Sequence, residues 1–119
     1  MVSLDYETNR ISLYEPATFD GQGLGESIPI TLVKEKPQAR VLLAARGQPA
    51  VEQMLLVDTG SGDGVDSDLV ATLPDRVLVA GGIGIGDPHP VYMSRLETAQ
   101  IGSFVMRLKP NRHFHDPFR

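Results

Sequence analysis

Met54-Leu55-Leu56-Val57-Asp58-Thr59-Gly60-Ser61-Gly62 is the stretch on which the fold turns. An apolar run ends abruptly in Asp-Thr-Gly-Ser. An apolar strand needs no carboxylate at its tip, and taking one out of water is costly unless it is hydrogen-bonded or paired. The small residues that follow let backbone N–H groups face that carboxylate. Residues 51–57 are therefore read as a buried strand that displays Asp58 at its end.

Working outward, short β-branched and apolar runs recur on both sides. Ile28-Pro29-Ile30-Thr31-Leu32 and Arg40-Val41-Leu42-Leu43-Ala44 predict strands over 28–34 and 40–45, joined through Lys34-Glu35-Lys36-Pro37. Gly47-Gln48-Pro49 reads as a turn. Asp66-Ser67-Asp68-Leu69-Val70-Ala71-Thr72-Leu73 carries an N-cap residue, acids in its first turn and Pro74 just after, which predicts one short helix. Strands over 76–80 and 91–96 bracket the glycine-rich Gly81-Gly82-Ile83-Gly84-Ile85-Gly86. Residues 97–101 and 104–109 read as a last hairpin. Twelve glycines, nine prolines and these short strands place the chain in the all-β class.

At the N-terminal side, Val2-Ser3-Leu4-Asp5-Tyr6 and Arg10-Ile11-Ser12-Leu13-Tyr14 alternate apolar and polar residues around the turn-forming Glu7-Thr8-Asn9. They predict a β-hairpin within residues 1–15. Residues 16–27 are polar and glycine-containing and read as a linker. Residues 110–119 show no apolar period and are expected to form a loose tail.

These stretches together resemble the retropepsin-like and bacterial aspartyl protease family. Asp58-Thr59-Gly60-Ser61 matches its signature, Arg76 to Gly86 looks like its flap hairpin, and Leu96 to Met106 looks like the strands after the flap. The similarity covers roughly residues 28–108. It implies a closed-barrel, acid-protease lobe with one short helix over residues 28–109. It also implies that Val2 to Leu13 resembles the end of a preceding lobe in a two-lobe protein. The apolar-apolar-Gly segment that completes such a lobe is absent after the flap. The hairpin is expected to take its place, in cis or by exchange with a neighbouring chain.

The resemblance also implies a chemistry. Two carboxylates share one proton and one water; adjacent like charges cannot both ionise cheaply, so the pair holds an acid and a base together. This chain offers one such carboxylate, Asp58, and the second is expected from another copy, giving a homodimer, or from a second lobe, giving a pseudo-dimer. By resemblance, Thr59 locks the two loops together, the Gly60 amide holds the carboxylate, and Ser61 contacts its outer oxygen. Gly81, Gly82, Ile83, Gly84, Ile85 and Gly86 form a flap closing over an extended polypeptide substrate. No metal or organic cofactor is implied. The expected function is an aspartic-type endopeptidase or a domain of one. The alternatives are a non-catalytic dimerisation or peptide-binding module of the same fold, and a structural lobe in a larger enzyme.

Other patterns carry less. The glycine run fails the dinucleotide pattern, because Asp87 stands where the third glycine belongs and Pro88 and Pro90 block a helix start. Asp63, Asp66 and Asp68 suggest calcium, yet Leu69 occupies the twelfth loop position counted from Asp58. His113-Phe114-His115-Asp116 lacks a further ligand set. His89, between prolines, is expected at the flap tip. Tyr92 and Phe104 are read as core or flap packing; Tyr92, Val65 and Leu69 are also weak substrate-pocket candidates. A net charge of −4 without a basic stripe argues against nucleic acid. No run approaches the roughly 18 apolar residues of a membrane span. No secretory signal is read near Met1, and the absence of cysteine leaves the compartment open.

Overall fold

The structure, a computed structural model, describes residues 1–61, 64–81, 89–108 and 113–115. In chain order the elements are β1 (Val2–Asp5), β2 (Arg10–Leu13), a 3-10 turn (Pro16–Thr18), β3 (Ile30–Val33), β4 (Lys36–Ala44) and β5 (Val51–Leu56). Then come α1 (Asp68–Thr72), β6 (Val77–Gly81), β7 (His89–Ser94), β8 (Thr98–Ile101), β9 (Phe104–Arg107) and β10 (His113–His115). Among the described residues the chain is all-β with one short α-helix.

β4 organises the main sheet. β5 runs antiparallel along one of its edges, from Gln38 opposite Leu56 to Leu43 opposite Val51. The other edge is shared end to end. β3 takes the first half, with Ile30 opposite Ala39, and β8 takes the second, with Leu42 opposite Gln100. β9 then adds to β8.

Alternation along β4 decides where the core lies. Ala39, Val41 and Leu43 are buried, and so is Ala45 just beyond the strand. The residues between them point away from the core, where Arg40 and Glu52 form an ion pair at 2.7 Å. That pair is largely exposed and contributes little to stability. The buried face of β4 packs with Ala99 of β8, Leu69 and Val70 of α1, Leu73 and Leu96. Val51 and Leu55 of β5 close its margin, partly buried. β5, read from sequence as a buried strand, has no buried residue, because among the described residues it pairs only with β4 and its alternate side chains face away from the core. Fully burying a side chain such as Leu43, Leu73 or Leu96 stabilises by about 1.5–3 kcal/mol.

Two tight turns set register. Lys34 and Glu35 connect β3 to β4 with φ of +48° and +64°. That is the primed turn a two-residue hairpin requires, made here without glycine. In the β8–β9 turn, Gly102 has φ +55° and lies against the start of the β3 segment. A Cβ there would stand 2.5 Å from both Glu26 Oε1 and Ile28 Cδ1. Glu26 accepts hydrogen bonds from the Ser103 amide at 2.9 Å and from the Ser103 hydroxyl. The linker is thereby fastened to the β8–β9 turn.

The closed barrel expected from the resemblance is not found. Among the described residues the strands form three separate sheets: β1-β2, β10-β7-β6 and the five-stranded sheet. Closure would require a ladder joining the outer strands, and β5, β6 and β9 each pair on one side only. The tail also differs from expectation. Residues 113–115, read as loose, form β10 and pair with Tyr92 to Ser94 of β7. Their short sequence has no period to announce a strand, and the pairing edge is supplied by β7. The rest of the tail lies outside the described residues.

Candidate functional site

The Asp58 turn begins where β5 loses its partner. Val57 donates its amide to the carbonyl of Pro37 at 2.9 Å. In an antiparallel hydrogen-bonded pair the opposite residue returns a second bond, and proline has no N–H to give. The ladder ends there, and the chain leaves the sheet at Asp58. Pro37, read from sequence as part of a connection, lies inside β4 and thereby sets the position of the turn.

Within the turn, the Gly60 amide donates to Oδ1 of Asp58 at 2.9 Å. The Ser61 amide reaches the Asp58 carbonyl at 3.4 Å. A Cβ on Gly60 would lie 3.4 Å from Asp58 Oδ1, an ordinary van der Waals contact. Asp58, Thr59, Gly60 and Ser61 are all exposed. One amide on one carboxylate oxygen is also the bond of an ordinary Asx turn. The chemistry therefore depends on what a second carboxylate would add.

The far side of the loop is anchored too. Ser67 is the N-cap of α1, its hydroxyl accepting the Leu69 amide at 3.1 Å. The same hydroxyl donates to Oε1 of Gln53 in β5. Ser67 is buried, and this link binds the helix to the strand that carries Asp58. Residues 58–66 thus span two fixed points, Val57 on Pro37 and Ser67 on Gln53.

Beyond α1, Leu73 is buried and Arg76 turns back to donate to its carbonyl at 3.0 Å. The Arg76 guanidinium also lies over the Tyr92 ring, 5.6 Å from its centroid. β6 and β7 then form the expected hairpin, with Val77 opposite Met93 and Gly81 opposite His89. His89 is therefore the first residue of β7 rather than the tip of the connection. Ser94 at the end of β7 is buried and donates to Oδ1 of Asp75.

The flap candidates divide. Gly81 ends β6, whereas Gly82, Ile83, Gly84, Ile85 and Gly86 lie outside the described residues. Of the pocket candidates, Leu69 is buried in the core, and Val65 and Tyr92 pack against it. Phe104, read as packing, is exposed on β9, because among the described residues β9 is the last strand of its sheet. Asp66 and Asp68 flank the helix start, and Asp63 and Asp116 lie outside the described residues. Among the described residues no group of three or more His, Asp or Glu side chains is placed to hold a metal. No helix among them is long and apolar enough to cross a membrane.

No protein-family model matches the chain, and neither a curated protein nor a solved structure matches it.

Proposed function

We propose that this chain supplies one half-site of an aspartic-type endopeptidase, with Asp58 as its catalytic carboxylate. The observation that carries the reading is the end of β5. An apolar strand stops at a proline-terminated ladder and presents an exposed Asp-Thr-Gly-Ser turn, its carboxylate held by the Gly60 amide at 2.9 Å. The helix and the β6–β7 hairpin follow in the order the retropepsin-like resemblance requires.

In this reading a second aspartate, Asp58 of another copy or its counterpart in another lobe, stands beside the first across a two-fold or pseudo-two-fold axis. Two adjacent carboxylates share one proton. The ionised member takes a proton from water, which attacks the peptide carbonyl. The protonated member supports the tetrahedral oxygen. Thr59 would tie the two turns together, and Ser61 would contact the outer carboxylate oxygen. The glycine-rich connection between β6 and β7 would lie over an extended substrate strand. The retropepsin-like lobe itself belongs to this proposal.

A second reading is a peptide-binding module that grips a strand without cutting it. The observation favouring it is the edge of β6, unpaired among the described residues, where Val77 and Leu78 are exposed and ready for strand addition. One experiment separates the two. A quenched-fluorescence peptide library is incubated with the chain across acidic to neutral pH, beside Asp58→Asn. The peptidase reading expects cleavage that the substitution abolishes. The module expects binding without cleavage, unchanged by the substitution.

A further inference from the structure

Residues 1–25 bond to one another rather than to the sheets that follow. The amino group of Met1 donates to the Tyr14 carbonyl at 2.9 Å and closes the β1–β2 hairpin. The rings of Tyr14 and Phe19 meet with centroids 5.3 Å apart. The Gln22 amide donates to Oδ1 of Asp20 at 3.1 Å. Among the described residues, each hydrogen bond of this stretch closes on one of its own members.

Attachment to the body begins at the next residue. Oε2 of Glu26 accepts the Ser103 amide at 2.9 Å and the Ser103 hydroxyl, 77 positions along the chain. Oε1 of Glu26 takes the space that a Cβ on Gly102 would need. Gln100 braces the same turn, donating from Nε2 to the Gly102 carbonyl at 3.0 Å. The β8–β9 turn is thus a seat for a carboxylate, with two donors on one oxygen and no side chain where the other oxygen lies. Glu26, Gly102 and Ser103 are all exposed, so protons reach the seat freely.

We propose that the Glu26–Ser103 contact is an acid-released latch that holds the N-terminal 25 residues to the five-stranded sheet. When Glu26 is ionised its two bonds are charge-assisted, roughly twice as strong as neutral ones. Protonation makes both of them neutral. The direction follows from the same geometry. Bonds from the Ser103 hydroxyl and amide favour the charged form and hold the Glu26 carboxyl below the ordinary 4.5. The latch is therefore closed at neutral pH and opens as pH falls through that lowered value. The β8–β9 turn meets the carboxylate through Gly102 and Ser103, and Ile28 lies beside it; none of the three titrates. No other charged group contributes to the lowering. Asp5 is lowered too, by bonds from Thr8 and Glu7 inside the hairpin's own turn. Its protonation loosens the hairpin and leaves the latch alone. The latch is independent of the peptidase reading.

The absence of native cysteine makes the test direct. Nitroxide labels on Leu24→Cys and Gln48→Cys report the distance from the linker to the body, and labels on Gln48→Cys and Val105→Cys report the body itself. All chains carry Asp58→Asn, so no peptidase activity enters the result. The linker distance should be narrow at pH 7 and should gain a broad second population on acidification, while the body distance holds. Glu26→Gln, which carries the neutral form at every pH, should lower the ratio of attached to released chain at pH 7 at least about threefold. Ser103→Ala removes one of the two donors, so its release should begin at higher pH, nearer the ordinary glutamate value. A linker distance in Glu26→Gln at pH 7 equal to that of the parent would overturn the proposal. So would an unshifted release in Ser103→Ala, or linker and body distances that broaden together in acid.

Discussion

The carbonyl of Pro37 accepts the Val57 amide at 2.9 Å and Pro37 returns no hydrogen bond. This one-sided pair stops the β4–β5 ladder one residue before Asp58. A proline in a strand is usually tolerated only where its missing N–H harms no ladder. Here the missing N–H ends one, and the candidate catalytic turn starts where it does.

Replacing Pro37 with alanine restores the donor. The new amide is expected to bond the Val57 carbonyl and to draw the turn toward the sheet. A gained hydrogen bond is worth about 1 kcal/mol, and losing proline's restriction of the unfolded chain costs a similar amount. Thermal stability should therefore change little while cleavage falls about tenfold or more. Hydrogen exchange at residue 37 checks the first half: a protected amide is expected, and a freely exchanging one would show that the ladder ends for another reason.

Leu43 and Leu42 are neighbours on opposite faces of β4. Leu43 is fully buried and Leu42 is 38% exposed. Leu43→Ala should destabilise by about 2–5 kcal/mol. Leu42→Ala should cost well under half of that. Urea unfolding of the two variants measures the contrast, and equal losses would contradict the assignment of the core face.

Glu26 links stability to pH. Hydrogen bonds from the Ser103 hydroxyl and amide hold its carboxyl below the ordinary glutamate value of 4.5. A carboxylate depressed in the folded state adds stability above its unfolded value, and that stability is lost as pH falls through the folded value. The loss therefore begins below about pH 4.5. Asp5 acts in the same direction through its bonds to Thr8 and Glu7. The melting temperature should drop on acidification below that point, and Glu26→Gln should make the drop shallower. An unchanged slope would show that the linker clamp does not persist in solution.

The turns offer two opposite effects. Gly102→Ala forces a left-handed φ on a residue with a Cβ and drives that Cβ into Glu26 and Ile28. It should destabilise by more than about 1 kcal/mol. Lys34→Asn with Glu35→Gly supplies the residues a primed turn prefers and should stabilise by about 1 kcal/mol. Differential scanning calorimetry reads both signs, and a neutral Gly102→Ala would mean that the β8–β9 turn is looser than its contacts indicate.

Much of the fold was legible in the sequence because its strands alternate or run apolar for the right lengths. The hairpin at β1–β2, the strand before Asp58, the helix behind Ser67 and the β6–β7 pair follow from local pattern alone. What escaped depended on partners distant in sequence. Pro37 reads as a connection until Val57 is seen bonded to it. Residues 113–115 have no strand signal until β7 lends them an edge. Phe104 reads as packing, yet it sits on the outermost strand of its sheet. Barrel closure is a property of edges meeting, and no local pattern specifies that β5, β6 and β9 stay open among the described residues. For the site, the Asp-Thr-Gly-Ser turn was legible, and its two anchors, Pro37 and Gln53, were not.

The most direct test of the central claim is peptide cleavage by the chain at acidic pH, compared with Asp58→Asn. The account predicts hydrolysis that the substitution reduces by at least about a hundredfold, with the dimer retained. Cleavage that survives the substitution, or binding without cleavage at any concentration that supports the dimer, would contradict it.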